Sequence, residues 1–173
     1  NHPEGLKGAE AVAVAVFLAR TGYSLIEIQD CILENYYQNG FTIDSIRETY
    51  TFNETCQDTV PQALEAFFES ISFEDAIRNA DSIGGDSDTI AAITGAIAEA
   101  YYGVPASIRK LALTFLDERL LKILVEFENK YQTKTEMLHE DVSVSIQSIK
   151  GSKVKIGGRE TMMESAADVV DAE

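Results

Sequence analysis

Positive charge is scarce in this chain: 14 Lys and Arg stand against 29 Asp and Glu, a formal net charge of −15 over 173 residues. So few cations leave little to neutralise a phosphate backbone, and sequence-independent nucleic-acid binding is not expected. One small anionic ligand remains compatible with this balance, because a bound divalent cation dominates its local field whatever the net charge. Cysteine is nearly missing as well. Cys31 and Cys56 lie in separate segments with no CxxC or Cys/His pattern, so neither a zinc site nor a disulfide framework is indicated. They read as core or near-surface thiols in a reducing compartment. Long apolar runs are also lacking: the longest, Thr89 to Ala98, is far too short to span a bilayer. No signal peptide is expected, and the cytoplasm is the expected location, without membrane partners. The first residue is Asn1 and not an initiator Met, and a fragment of a longer protein is the expectation.

What the chain does contain is enough for one domain with a real core, since 45% of its residues are hydrophobic and 25% charged. From Pro3 to Arg20 the residues are mostly small. The Ala/Val alternation also fits a strand, but alanine, Pro3 and Glu4 in the first turn and Gly22 just past the end favour a helix. Ser24 and Glu27 have capping-box spacing and open a helix to about Tyr37, which Gly40 should end. A short helix is expected over 43–50 and a loop over 51–58. Thr59 should cap a helix with Pro61 near its start and Ala63, Leu64, Phe67 and Phe68 on its apolar stripe. Ser72 should cap the next, with Phe73, Ala76, Ile77 and Ala80 at helical spacing. From Thr89 to Tyr102 apolar residues occupy every side, which predicts a buried central helix ended by Gly103 and Pro105. A short linker helix over 107–113 and an amphipathic helix from Leu116 to Tyr131 follow. Beyond Gln132 the pattern changes. Val142, Val144 and Ile146 alternate with polar residues, Lys150 to Ser152 can turn, and Val154 with Ile156 can return as a partner strand. Residues 133–173 are therefore read as a marginal hairpin or disordered tail ending in an acidic segment. Tyr36, Tyr37, Tyr101 and Tyr102 read as packing at helix edges.

The stretch with most chemical content is Gly84 to Ile90. Two glycines allow a sharp turn, and Asp86, Asp88 and Thr89 then gather hard oxygens at the head of the central helix. In an extended turn, alternate side chains face one way, so Asp86 and Asp88 would aim together with Ser87 opposed. Such oxygens suit Mg²⁺, Mn²⁺ or Ca²⁺ and not zinc or copper. An Asp or Thr before an apolar helix is equally a normal cap, and acids in a first turn complement the helix dipole. An EF-hand is excluded: a loop begun at Asn79 puts Gly84 at its sixth position but Ile90 where a bidentate acid is required.

The wider context carries a resemblance. Residues 72–103, the Asn1-His2-Pro3-Glu4-Gly5-Leu6-Lys7-Gly8-Ala9 block and Thr59-Val60-Pro61-Gln62-Ala63-Leu64 together resemble, in order, the C-terminal half of the ADP-ribosylglycohydrolase family, which includes dinitrogenase-reductase-activating glycohydrolases. The resemblance spans 1 to about 132. It implies an all-α, compact orthogonal helical domain, present in part. It further implies hydrolysis of the glycosidic bond between ADP-ribose and a modified acceptor, whether a protein or a small ADP-ribosyl substrate. In that pattern Asp86, Asp88 and Thr89 stand at metal-ligand positions, with Asp88 shared between two Mg²⁺ ions (Mn²⁺ in some members) that hold the distal ribose. His2 stands where the family has a histidine contacting ADP-ribose. Lys7 is more simply a solvated lysine than a phosphate contact. The family's remaining ligands come from a Thr/Ser-Asp-Asp motif in the preceding half, and no such motif occurs here. The isolated chain is therefore expected to carry half of the metal site, to bind one hydrated ion weakly and to be inactive. The competing expectation is a non-catalytic helical binding or scaffold module that uses the same three residues only as caps.

Overall fold

The computed structural model describes residues 2–38 and 40–131, together with the backbone of two short strands at Lys153–Ile156 and Arg159–Met162. Eight α-helices fill the first part: α1 (Pro3–Arg20), α2 (Leu25–Asn35), α3 (Ile43–Ile46), α4 (Val60–Phe68), α5 (Phe73–Ser82), α6 (Ser87–Tyr102), α7 (Ala106–Leu113) and α8 (Glu118–Tyr131), with a 3₁₀ turn at Cys56–Asp58 before α4. The expectation of an all-α domain is met.

Local chemistry sets most of the boundaries. Pro3 starts α1, and Gly22, at φ 86°, stops it while the Tyr23 amide turns back to the Leu18 carbonyl at 3.1 Å. Ser24 and Glu27 form the full capping box on α2, and the Ser72 hydroxyl accepts the Asp75 amide on α5. Gly103, at φ 73°, ends α6, and Asp117 caps α8 by accepting the Leu120 amide at 2.8 Å.

Several boundaries differ from the sequence reading for identifiable reasons. α2 stops at Asn35 because Tyr37 leaves the helix axis and buries its side chain against Gly8 of α1; Gly40 takes no left-handed conformation. α3 ends at Ile46, but the chain runs on as hydrogen-bonded turn, the Tyr50 amide donating to the Ile46 carbonyl at 2.8 Å, and the Tyr50 ring lies over Gly85. Thr59 is not a side-chain cap. The 3₁₀ turn already brings it into helical conformation, and its hydroxyl donates to the Asn53 carbonyl at 3.3 Å.

α6 is the hub, packing on α1, α4 and α5. One core cluster joins α1, α2, α4 and α6 through Val14, Leu18, Ile28, Ile32, Leu64, Phe67 and Ile97; a second joins α3, α4, α5 and α6 through Ile43, Ala63, Ala66, Ala80, Ile83 and Ile90. Phe67, Tyr101 and Tyr102 meet edge to face in the first. The expectation that α6 is buried on every side is corrected: Ile90, Thr94, Ile97 and Ala98 are buried, but Thr89, Ala92, Ala96 and Glu99, at helical spacing, are exposed. The described neighbours cover only part of its circumference.

α7 and α8 are joined by a bidentate ion pair in which Arg109 donates to both Glu128 oxygens at 2.7 and 2.8 Å. The strand at Lys153–Ile156 pairs antiparallel with Arg159–Met162, Val154 opposite Thr161. The expected partner segment over 142–146 lies outside the described residues, as do residues 163–173 of the acidic stretch expected over 160–173. Among the described residues no helix is long and apolar enough to cross a membrane.

Candidate metal-binding turn

Gly84 and Gly85, at φ 74° and 63°, reverse the chain between α5 and α6, a pair of left-handed conformations that side-chain-bearing residues avoid. Ile83 before the turn and Ile90 after it are both buried in the second core cluster, so the turn is pinned at each end by apolar burial. The sequence offered Ile90 as a core position but gave no comparable signal for Ile83.

Asp86 is the residue immediately before α6, and Asp88 and Thr89 lie within the helix's first turn. The extended alternation expected for 86 and 88 does not persist, because the chain is already helical from Ser87. On a helix the residue three along, Thr89, is the neighbour of position 86. The three oxygens still belong to one turn. The Asp86 side chain accepts no capping hydrogen bond, and among the described residues the side chains of Asp88 and Thr89 have no hydrogen-bond or ion-pair partner. Asp86 is half-buried while Asp88 and Thr89 are exposed. The donor set is therefore two carboxylates and a hydroxyl not engaged elsewhere, which fits a hard cation. It is incomplete by itself: no group of three or more His, Cys, Asp and Glu that could hold a metal occurs among the described residues.

The surroundings of the turn were not legible in sequence. The Tyr50 ring lies so close to Gly85 that a Cβ there would sit 2.6 Å from a ring carbon, and the Tyr50 hydroxyl donates to the Asp58 carbonyl at 2.6 Å. Burial first pushes the Tyr50 hydroxyl pKa up; a hydrogen bond with Thr59 pulls it back, and the nearby Asp58 and Asp86 charges raise it again. Arg47 reaches the end of α5, its Nε donating to Ser82 Oγ at 2.9 Å.

His2 lies at the head of α1, exposed, in extended conformation and without a side-chain capping bond; its carbonyl accepts the Leu6 amide at 3.1 Å. Among the described residues no hydrogen bond or ion pair joins it to Asp86, Asp88 or Thr89. Lys7 departs from the solvated reading: its ammonium lies 4.4 Å from the centre of the Tyr37 ring and 3.9 Å from Glu4. Tyr37 is buried, its hydroxyl has no hydrogen-bond partner among the described residues, and burial, with Glu4 and Cys56 nearby, pushes its pKa up to about 12. Cys31 and Cys56 are half-buried, and neither is in a disulfide.

An all-helical domain with an acidic, glycine-hinged turn at the head of its central helix is the class of architecture to which this site belongs. The family model for ADP-ribosylglycohydrolase matches residues 1–136, and the chain belongs to that family. It is thus related to glycohydrolases. No curated protein and no solved structure matches the chain.

Proposed function

We propose that this chain contributes to metal-dependent hydrolysis of the glycosidic bond linking ADP-ribose to a modified acceptor, and that Asp86, Asp88 and Thr89 are its part of a binuclear Mg²⁺ site. The observation that carries the proposal is the turn itself: Asp86 stands in a capping position yet its side chain caps nothing. A carboxylate kept for a cap would accept an amide of the first turn. A pair of divalent ions would orient ribose hydroxyls and supply Lewis-acid stabilisation. The residues of this chain hold and charge-balance them. Asp88 would be shared between the ions and offset their repulsion, Asp86 would add a second anionic oxygen and Thr89 a neutral one. These anions must also outweigh the positive end of the α6 dipole, which opposes a cation at this place. The packing of α6 on α1, α4 and α5 supplies a rigid platform. His2, at the head of α1, would donate to a phosphate or ribose oxygen of the nucleotide.

With two carboxylates and one hydroxyl, the chain by itself would bind a single hydrated ion weakly and turn over no substrate. The further ligands would come from the other half of the family's domain. The experiment is release of ADP-ribose from an ADP-ribosylated arginine substrate by this chain combined with such a half. Asp88→Ala should abolish Mg²⁺-dependent release; release unchanged by the substitution or by chelation would overturn the metal assignment, and no release with or without Mg²⁺ would support the non-catalytic scaffold reading.

A further inference from the structure

The Tyr50 ring does more than fill space. Its carbon lies 2.6 Å from where a Gly85 Cβ would be, and the Thr51 carbonyl carbon lies 3.3 Å from the same point, so the 50–51 backbone and ring close over the turn from one side. The hydroxyl at the far end of the ring is held by the Asp58 carbonyl, and Asp58 ends the 3₁₀ turn that leads into α4. Asp58 Oδ2 in turn accepts from Asn53 at 3.0 Å and Thr55 at 3.1 Å, which folds the 51–58 segment on itself. The ring thus lies directly against the Gly84–Gly85 reversal, while its hydroxyl ties the 51–58 segment to the ring. Asp86 follows Gly85 directly, as the residue before α6. We infer that Tyr50 is a positioning residue for the metal-binding turn: its ring holds the Gly85 backbone in its left-handed conformation and thereby fixes the direction of the Asp86 carboxylate. This rests on the assignment of Asp86, Asp88 and Thr89 as ligands made above.

Two features distinguish a strut from ordinary packing. The contact is to a glycine that no larger residue can replace without moving the ring, and the aromatic body makes the contact while the hydroxyl is bonded elsewhere. The ring alone should therefore suffice to position the turn, and Phe should substitute for Tyr.

The test is Mn²⁺ binding to the full chain, followed by the paramagnetic resonance of free Mn²⁺, with thermal unfolding of each variant as a control for folding. Wild type should bind Mn²⁺ and Asp88→Ala should not. Tyr50→Phe should bind as wild type does, and Tyr50→Ala should weaken binding about tenfold, the size of effect known for groups that orient metal ligands. Gly85→Ala, which drives a methyl into the ring, should weaken it comparably. Tyr50→Leu stands in should Tyr50→Ala fail to fold, since a branched aliphatic keeps bulk but cannot reach across the turn. Unchanged affinity in folded Tyr50→Ala or Tyr50→Leu, with Asp88→Ala still abolishing binding, overturns the strut and leaves the ligand assignment standing. Wild-type binding that does not depend on Asp88 removes the ligand assignment and this inference with it.

Discussion

The hydroxyl of Thr94, fully buried in the middle of α6, donates to the Ala63 carbonyl of α4 at 2.9 Å. This bond crosses between the hub and one of its packing partners, where Thr replaces an aliphatic residue on an otherwise apolar face. Thr94→Val keeps the shape and removes the donor, while the Ala63 carbonyl keeps its bond within α4. A loss of about 1 kcal/mol of stability is expected, measured by denaturant unfolding with unchanged m-value.

The capping box on α2 has an acid-sensitive half. Glu27 accepts from both the Ser24 hydroxyl, at 2.7 Å, and the Ser24 amide, at 2.8 Å, and these bonds hold its carboxyl below the ordinary value of 4.5. A carboxyl whose pKa is lower in the folded state adds stability that is complete above the unfolded value and is lost as the pH falls through the folded one. Thermal unfolding should therefore show wild type more stable than Ser24→Ala near neutrality, and the gap should narrow as the pH is lowered past 4.5.

At the alkaline end Tyr37 works in the opposite sense. Its hydroxyl, raised from 10.0 to about 12, stays protonated when the unfolded chain has already ionised, so its contribution is complete below pH 10 and is lost as the pH rises toward 12. Tyr23 and Tyr50 are raised too, each chiefly by burial, and add to the same trend. Tyr37→Phe removes a buried hydroxyl that no neighbour satisfies. It should be no less stable at neutral pH, and its alkaline loss of stability, followed by circular dichroism, should be smaller than that of wild type.

Asp86 separates a cap from a ligand by stability alone. Because its side chain accepts no amide of α6, Asp86→Ala should cost well under the ~1 kcal/mol of a working N-cap. Asp88→Ala should lose only a dipole contribution of about 0.3–1 kcal/mol. Thermal unfolding of both variants without added metal measures this, and a loss at Asp86 as large as that of Ser24→Ala would identify it as a cap.

The helical order of the domain was legible because its signals are local: Ser24 with Glu27, Ser72 with Asp75, Gly22 and Gly103 each act within one turn of the boundary that they set. The failures came from distant contacts. Tyr37 ends α2 early by reaching Gly8, and the Tyr50 ring crosses to Gly85; neither contact leaves a periodicity in sequence. The all-round apolar pattern of α6 suggested complete burial, but alanine is compatible with either environment, and Ala92 and Ala96 are exposed. At the turn, residue types identified Asp86, Asp88 and Thr89. The bracing by Ile83 and Tyr50 depends on how separate helices meet, and Lys7 over Tyr37 joins residues thirty positions apart.

The most direct test of the metal-binding turn is crystallography of the chain grown with Mn²⁺, using data collected at the manganese absorption edge. An anomalous peak bonded to carboxylate oxygens of Asp86 and Asp88 at about 2.2 Å, with Thr89 alongside, is the predicted result. A map with no peak at the turn, and with either aspartate turned back onto the first amides of α6, would contradict it.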